Sequence, residues 1–200
     1  MDGWPYPQVR WSAMRIALFL LGWVVAANAQ PRSIDKQNST MTVHVLKAGV
    51  LSAFGHDHEI AAPVARGAVD VAGHQVELHV EAGALKVRDP KASDEDRAKI
   101  QTTMLGPEVL DATRYPEIGF QSTKAERLGD GSWKLSGSLM LHGQTKPITV
   151  QVREKNGHYV GQASLKQTDF GIKPIRVGGG AVRVKDELRI EFNIQLTPLK

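Results

Sequence analysis

The chain of 200 residues contains no cysteine. Disulfide stapling, a thiolate nucleophile and cysteine-based metal clusters are therefore all excluded. Aromatic residues make up only 6% of the sequence, so any core must be built mainly from aliphatic side chains. No charge of one sign dominates: 25 Lys+Arg stand against 21 Asp+Glu, a net +4. The excess is scattered, and no basic cluster interleaved with aromatics appears, which argues against nucleic acid as a partner. G-x-S-x-G and P-loop patterns are missing. "VGGGAV" at 177–182 lacks the Lys-Ser/Thr and the following helix of a phosphate cradle.

Long hydrophobic runs are also missing. The apolar stretch from Ile16 to Val25 is about ten residues, where a membrane-spanning helix needs about twenty. Arg10 and Arg15 precede it, and "AANAQ" follows, with Ala27 and Ala29 flanking Asn28 in a small-x-small pattern. This reads as a signal peptide over 1–29, cleaved after Ala29, with Met14 as an alternative start. Export without cysteine points to a bacterial periplasm or to secretion, with no stable membrane insertion. The remaining 30–200 is the right size for one domain.

What is present is alternation. In "HQVELHVEAGAL", Val76, Leu78, Val80, Ala82 and Ala84 share one face, and Glu77, His79 and Glu81 the other. "ELRIEFNIQL" alternates as cleanly, with Leu188, Ile190, Phe192, Ile194 and Leu196 inward. "MTVHVLK", "VARGAVDV", "EIGFQST", "SWKLSGSLML", "KPITVQVR", "HYVGQASL" and "AVRVKD" bring the total to about eight or nine strands. Turn residues separate them, such as "GDGS" at 129–132 and "KNGH" at 155–158. Lys146-Pro147 suggests another hairpin turn. One segment breaks the period: 93–105 reads as a helix capped by Ser93, with Asp96 completing an S-x-x-D box and Ile100 and Met104 on an apolar edge. Arg88 and Asp89 are expected to pair and fix the turn into this helix, and Asp169 to hold a turn of its own.

The fold class expected is all-β: an antiparallel eight-stranded lipocalin-like barrel with one inserted α-helix. Closure removes the sheet edges, and at about eight strands a barrel either fills with side chains or holds one small ligand. Small residues at Gly137, Gly161 and Ala163 leave room for a cavity, although periodicity alone is equally consistent with a filled barrel.

Three motifs are more specific. "DATRYPEIGFQST" at 111–123, "LSGSLMLHGQTKPITVQV" at 135–152 and "LKQTDFGI" at 165–172 together resemble the YceI-like family of lipid-binding periplasmic proteins, in order and spacing across roughly residues 40–197. The resemblance implies a lipocalin-like barrel around an elongated apolar tunnel. It implies a polyisoprenoid or other long-chain amphiphile as partner, such as an isoprenoid quinone. It implies a carrier rather than an enzyme, with no required cofactor, in a family where homodimers occur. The chain departs from the family at "LSAFGHDHEI" (51–60) and at Val109-Leu110, where aromatics usually stand, so the pocket walls differ.

"LSAFGHDHEI" is also the densest ionisable stretch. If extended, it puts Phe54, His56, His58 and Ile60 on one face and Asp57 and Glu59 on the other. His56 and His58 can then meet a ligand head group at the barrel mouth. Ligand-lining residues expected are Phe54, His56, His58, Phe120, Leu139 and Phe170. Two further readings stand beside this one. His56 and His58 form half of a metal site completed by His44 or His142, or act as acid and base in an enzyme. Alternatively the barrel is filled, and the chain is a stress-related interaction protein using its exterior.

Overall fold

The computed structural model describes residues 30–48, 57–177 and 181–198. The strands, in chain order, are β1 (Arg32–Ser33), β2 (Thr40–Ala48), β3 (His58–Ala61), β4 (Val64–Asp70), β5 (Gln75–Glu81), β6 (Lys86–Val87), β7 (Glu117–Arg127), β8 (Trp133–Leu141), β9 (Gln144–Lys155), β10 (His158–Lys166), β11 (Arg176–Val177) and β12 (Val182–Gln195). The helix α1 (Asp94–Leu105) lies between β6 and β7. All strands join one antiparallel sheet in the order β1-β4-β5-β7-β8-β9-β10-β12-β2-β3-β6, with β11 on β12.

Among the described residues there are twelve strand segments rather than eight. A proline marks one of the added segments. Pro63 has no N–H to give a ladder, and here one run of chain changes partner: β3 pairs with β2, while β4 pairs with β5. The two-residue β1, β6 and β11 add further segments. Conversely, "AVRVKD" and "ELRIEFNIQL", read as separate strands, are one, and a register shift between Val184 and Leu188 bends it.

The sheet curls so that its apolar face turns inward. Ile60, Val80, Leu139 and Leu141 belong to the largest buried cluster. One end is drawn together by the N-terminal strap. Arg32 pairs with Val69 of β4, while Asp35 N donates to the Gln195 carbonyl (2.8 Å) and Thr197 N to the Ser33 carbonyl (2.9 Å). The strap thus bridges two strands that do not otherwise pair.

The helix begins as its cap dictates: Asp96 N donates to Ser93 Oγ at 3.1 Å, and Asp94, Glu95 and Asp96 fill the first turn. Two turns differ from expectation. The β8–β9 hairpin turns at His142-Gly143, both at positive φ (50° and 70°), with Leu141 paired to Gln144. Pro147 lies inside β9 opposite Ser138. The turn after β10 is held by Asp186, which accepts Thr168 N (2.9 Å) and Thr168 Oγ1 (2.7 Å), rather than by Asp169. Ala82 and Ala84 do not continue β5, because the chain enters a short 3-10 turn there.

Two carboxylates hold loops at the strap end. The Asn38 side-chain amide, with backbone N–H groups, holds Asp35 below the ordinary carboxylate range. Ser132, and then Arg153, does the same for Asp130. A depressed native value contributes stability that is present above the unfolded value, about 4. That stability is lost as pH falls through the native one. The thermal midpoint is therefore expected to stay level from neutral pH to about 5 and to decline below about 4. In Asp35→Asn with Asp130→Asn the decline should be shallower, and an unchanged acid slope would assign it to other groups.

Candidate functional site

The curl encloses a cavity of about 860 Å³. Small-molecule sites commonly span about 300–1,000 Å³, so this one is large. Its walls are the inward positions of nearly every strand, among them Val43, Leu78, Phe120, Leu139, Ile148 and Ile190. The charged lining residues sit toward the two ends. Asp70 and Glu154 border the β4–β5 and β9–β10 hairpins, while Lys47 and Arg183 stand at the far ends of β2 and β12, and Asp96 and Lys99 come from α1. The cavity therefore reaches both ends of the sheet with an aliphatic middle. Trp133 lines the hairpin end, its ring 4.8 Å from that of His74.

The cavity is not opened by the glycines. A Cβ built on Gly137 would stand 2.5 Å from the Phe120 ring, and one on Gly161 would stand 2.5 Å from the Phe192 ring. Each phenylalanine lies across the missing side chain of a neighbouring strand, Gly137 beside β7 and Gly161 opposite Phe192 itself. The rings fill the space left by the small residues at 137 and 161. In doing so they lie along the wall instead of projecting across the lumen.

Of the expected lining residues, His58, Phe120 and Leu139 line the cavity. Phe170 does not: it is 1% exposed, packed in the largest core cluster behind the wall. Phe54 and His56 lie outside the described residues. Val109 and Leu110, noted for standing where aromatics usually do, both line the cavity. The helix contributes Ile100, Thr103 and Met104 from its apolar edge.

His58 has a partner that its sequence neighbours conceal. Asp57 accepts Lys47 N at 2.9 Å, and Glu59 points outward as alternation requires. The carboxylate that meets the imidazole comes from 31 positions away. Asp89 Oδ2 lies 2.5 Å from His58 Nδ1, and its Oδ1 accepts Glu59 N at 2.5 Å. The Asp89 side chain is 2% exposed and that of His58 22%. This corrects the expected pairing of Asp89 with Arg88, which is exposed while Asp89 is turned into the core. The helix is tied to the same corner. Arg97 Nη1 donates to the Asp89 carbonyl at 3.0 Å. Gln101 spans the edge of β6, donating to the Leu85 carbonyl (2.8 Å) and accepting Val87 N (2.9 Å).

His44 and His142, considered as further ligands to a metal, point elsewhere. His44 faces Glu191 at 3.4 Å, and His142 Nδ1 bonds the Phe170 carbonyl at 3.1 Å. Among the described residues no group of three or more His, Asp or Glu side chains is placed to hold a metal ion. On the outer surface His79 is gripped by Glu77 and Glu117, the latter also bonded by Arg66. This knot joins β4, β5 and β7. Among the described residues no helix is long and apolar enough to cross a membrane.

The profile of the YceI-like domain matches residues 33–196. The UPF0312 protein of Vibrio campbellii is 34% identical over 116 residues, which is 52% of this chain and 59% of that protein. The chain thus spans a little over half the length of the Vibrio relatives it matches. The UPF0312 protein of Shewanella denitrificans is 25% identical over 178 residues, 83% of this chain and 88% of that protein. Among solved structures, Burkholderia cenocepacia BcnA superposes with a TM-score of 0.60 at 19% identity, over 82% of this chain and 99% of that one. At that identity the likeness is one of fold.

Proposed function

The chain belongs to the YceI-like family, whose domain spans residues 33–196, and from that premise we propose that it is an exported carrier or store for a polyisoprenoid or other long-chain amphiphile. Members of the family are binding proteins rather than enzymes, and the barrel is the binding element. The observation that supports a long apolar chain as cargo is the cavity: about 860 Å³, walled mainly by aliphatic residues, with the charged residues described along it lying toward its ends. Burying a methylene-sized group stabilises by about 0.8 kcal/mol, so ten of them give about 8 kcal/mol before ordering costs are subtracted. Affinity then comes from the chain, and selection among head groups is left to the few polar residues at the ends. The reading needs no cofactor, and it puts the protein in the periplasm or outside the cell.

The test is native mass spectrometry of the protein purified without detergent from its own host. The expected result is a discrete mass increment of several hundred daltons that solvent extraction releases and fragmentation identifies. The same spectrum reads out whether the protein is a monomer or a homodimer. A bare polypeptide mass that persists after incubation with long-chain isoprenoids overturns the proposal.

A further inference from the structure

The His58–Asp89 pair gives the cavity a polar address with a direction. Two acceptor oxygens of one buried carboxylate are both engaged. Oδ1 takes the Glu59 N–H, and Oδ2 faces His58 Nδ1 at 2.5 Å. A backbone N–H can only donate, which makes Oδ1 an acceptor; with the carboxylate ionised Oδ2 is an acceptor as well, and Nδ1 is then the ring nitrogen that carries the hydrogen toward it. In a neutral imidazole the other nitrogen, Nε2, is then a lone-pair acceptor. His58 lines the cavity, and Nε2 has no hydrogen-bond partner among the described residues. A carboxylate that fixes a histidine in this way sets both its tautomer and its ring orientation.

We infer that the His58–Asp89 pair selects amphiphiles whose head group bears a hydroxyl donor, an alcohol or a hydroquinone-type phenol, over those offering only carbonyl or ether oxygens. The inference rests on the cavity being the site of a long-chain amphiphile and adds the chemistry of its head. An acceptor in a largely apolar wall discriminates sharply, because a ligand oxygen without a hydrogen meets the Nε2 lone pair and leaves both unsatisfied. Asp89 acts here as a positioning residue and makes no contact with ligand.

The test compares a long-chain isoprenoid alcohol with its methyl ether, across a series of pH values extending into the alkaline range. Binding to the delipidated full-length protein is measured by titration calorimetry. The wild type should favour the alcohol by about tenfold, the worth of one hydrogen bond. Asp89→Asn makes the assignment decisive. Its carbonyl must take Glu59 N–H, so its amide NH₂ faces Nδ1 and forces the hydrogen onto Nε2. The preference should then disappear, because the alcohol oxygen accepts the Nε2 hydrogen as the ether oxygen does. A variant that merely loosened the fold would weaken both ligands together. Equal binding of alcohol and ether by the wild type, or a preference for the ether, overturns the inference while leaving the cavity as a lipid site. No binding of either overturns the functional reading beneath it. If Asp89→Asn does not fold, the wild-type comparison decides alone.

Discussion

Gly161→Ala is expected to destabilise the protein by about 2–3 kcal/mol, the upper part of the range of about 1–3 kcal/mol seen when a well-packed interior is overfilled. The methyl group would meet the Phe192 ring at 2.5 Å and Val152 Cα at 3.0 Å, and would press on the Gln151 carbonyl. Two of these three neighbours are backbone of β9 and cannot swing aside. The third can move only by rotating off the wall and into the lumen. The substitution should therefore act twice: it lowers the urea midpoint, and in the molecules that remain folded it narrows the cavity and weakens amphiphile binding. Gly161→Ala combined with Phe192→Leu separates the two obstacles. If the ring dominates, the pair recovers more than half the loss; if the β9 backbone dominates, it recovers little. Gly129→Ala serves as control, because a Cβ there meets nothing within 4 Å. It should stay within about 0.5 kcal/mol of the wild type. A Gly161→Ala protein as stable as that control would show that β9 and β10 yield more easily than their packing indicates.

The same glycines mark how far the sequence could be read. Period-two alternation assigned the inward residues of β5 and β12 correctly, because a half-buried strand cannot hide which face is wet. The Ser93 cap and its acids placed the helix to within a residue. Neither signal reports what lies across the sheet. Small residues at 137 and 161 suggested vacant space; the rings that occupy it come from Phe120, which is 17 positions away from Gly137, and from Phe192, which is 31 from Gly161. The change of partner at Pro63 was equally hidden, since alternation runs through β3 and β4 without showing that one pairs with β2 and the other with β5. The site followed the same rule. Alternation in "HDHE" placed Asp57 and Glu59 on the face away from His58, because neighbours in a strand point to opposite faces, but it gave no sign of the acid that does meet the imidazole. Asp89 was legible only as half of an Arg-Asp doublet. Its burial, and its reach back to His58, belong to the turn between β6 and α1.

Asp89→Ala should cost about 3 kcal/mol or more, the second large effect expected. The carboxylate is 2% exposed and serves two donors, His58 Nδ1 and Glu59 N. Removing it strands both in a largely dry corner, and each unsatisfied group costs about 1–3 kcal/mol. The partial exposure of His58, 22%, lets water repair some of its share, so the Glu59 amide and the hole left by the side chain account for much of the total. The damage should also spread locally. Glu59 and Arg88 are joined by a backbone hydrogen bond of 2.7 Å, and Arg97 ties α1 to the Asp89 carbonyl, so β3, β6 and the helix share one anchor. Amide exchange should accelerate first at Glu59, Arg88 and the first turn of α1, ahead of β8 and β9. Asp89→Asn keeps an acceptor for Glu59 and a polar partner for His58, and should retain most of the stability that the alanine variant loses. A loss below about 1 kcal/mol in Asp89→Ala would mean that water replaces the carboxylate at both donors. The corner would then be wetter than its burial indicates, and a cavity end that admits water so readily would discriminate poorly among lipid head groups.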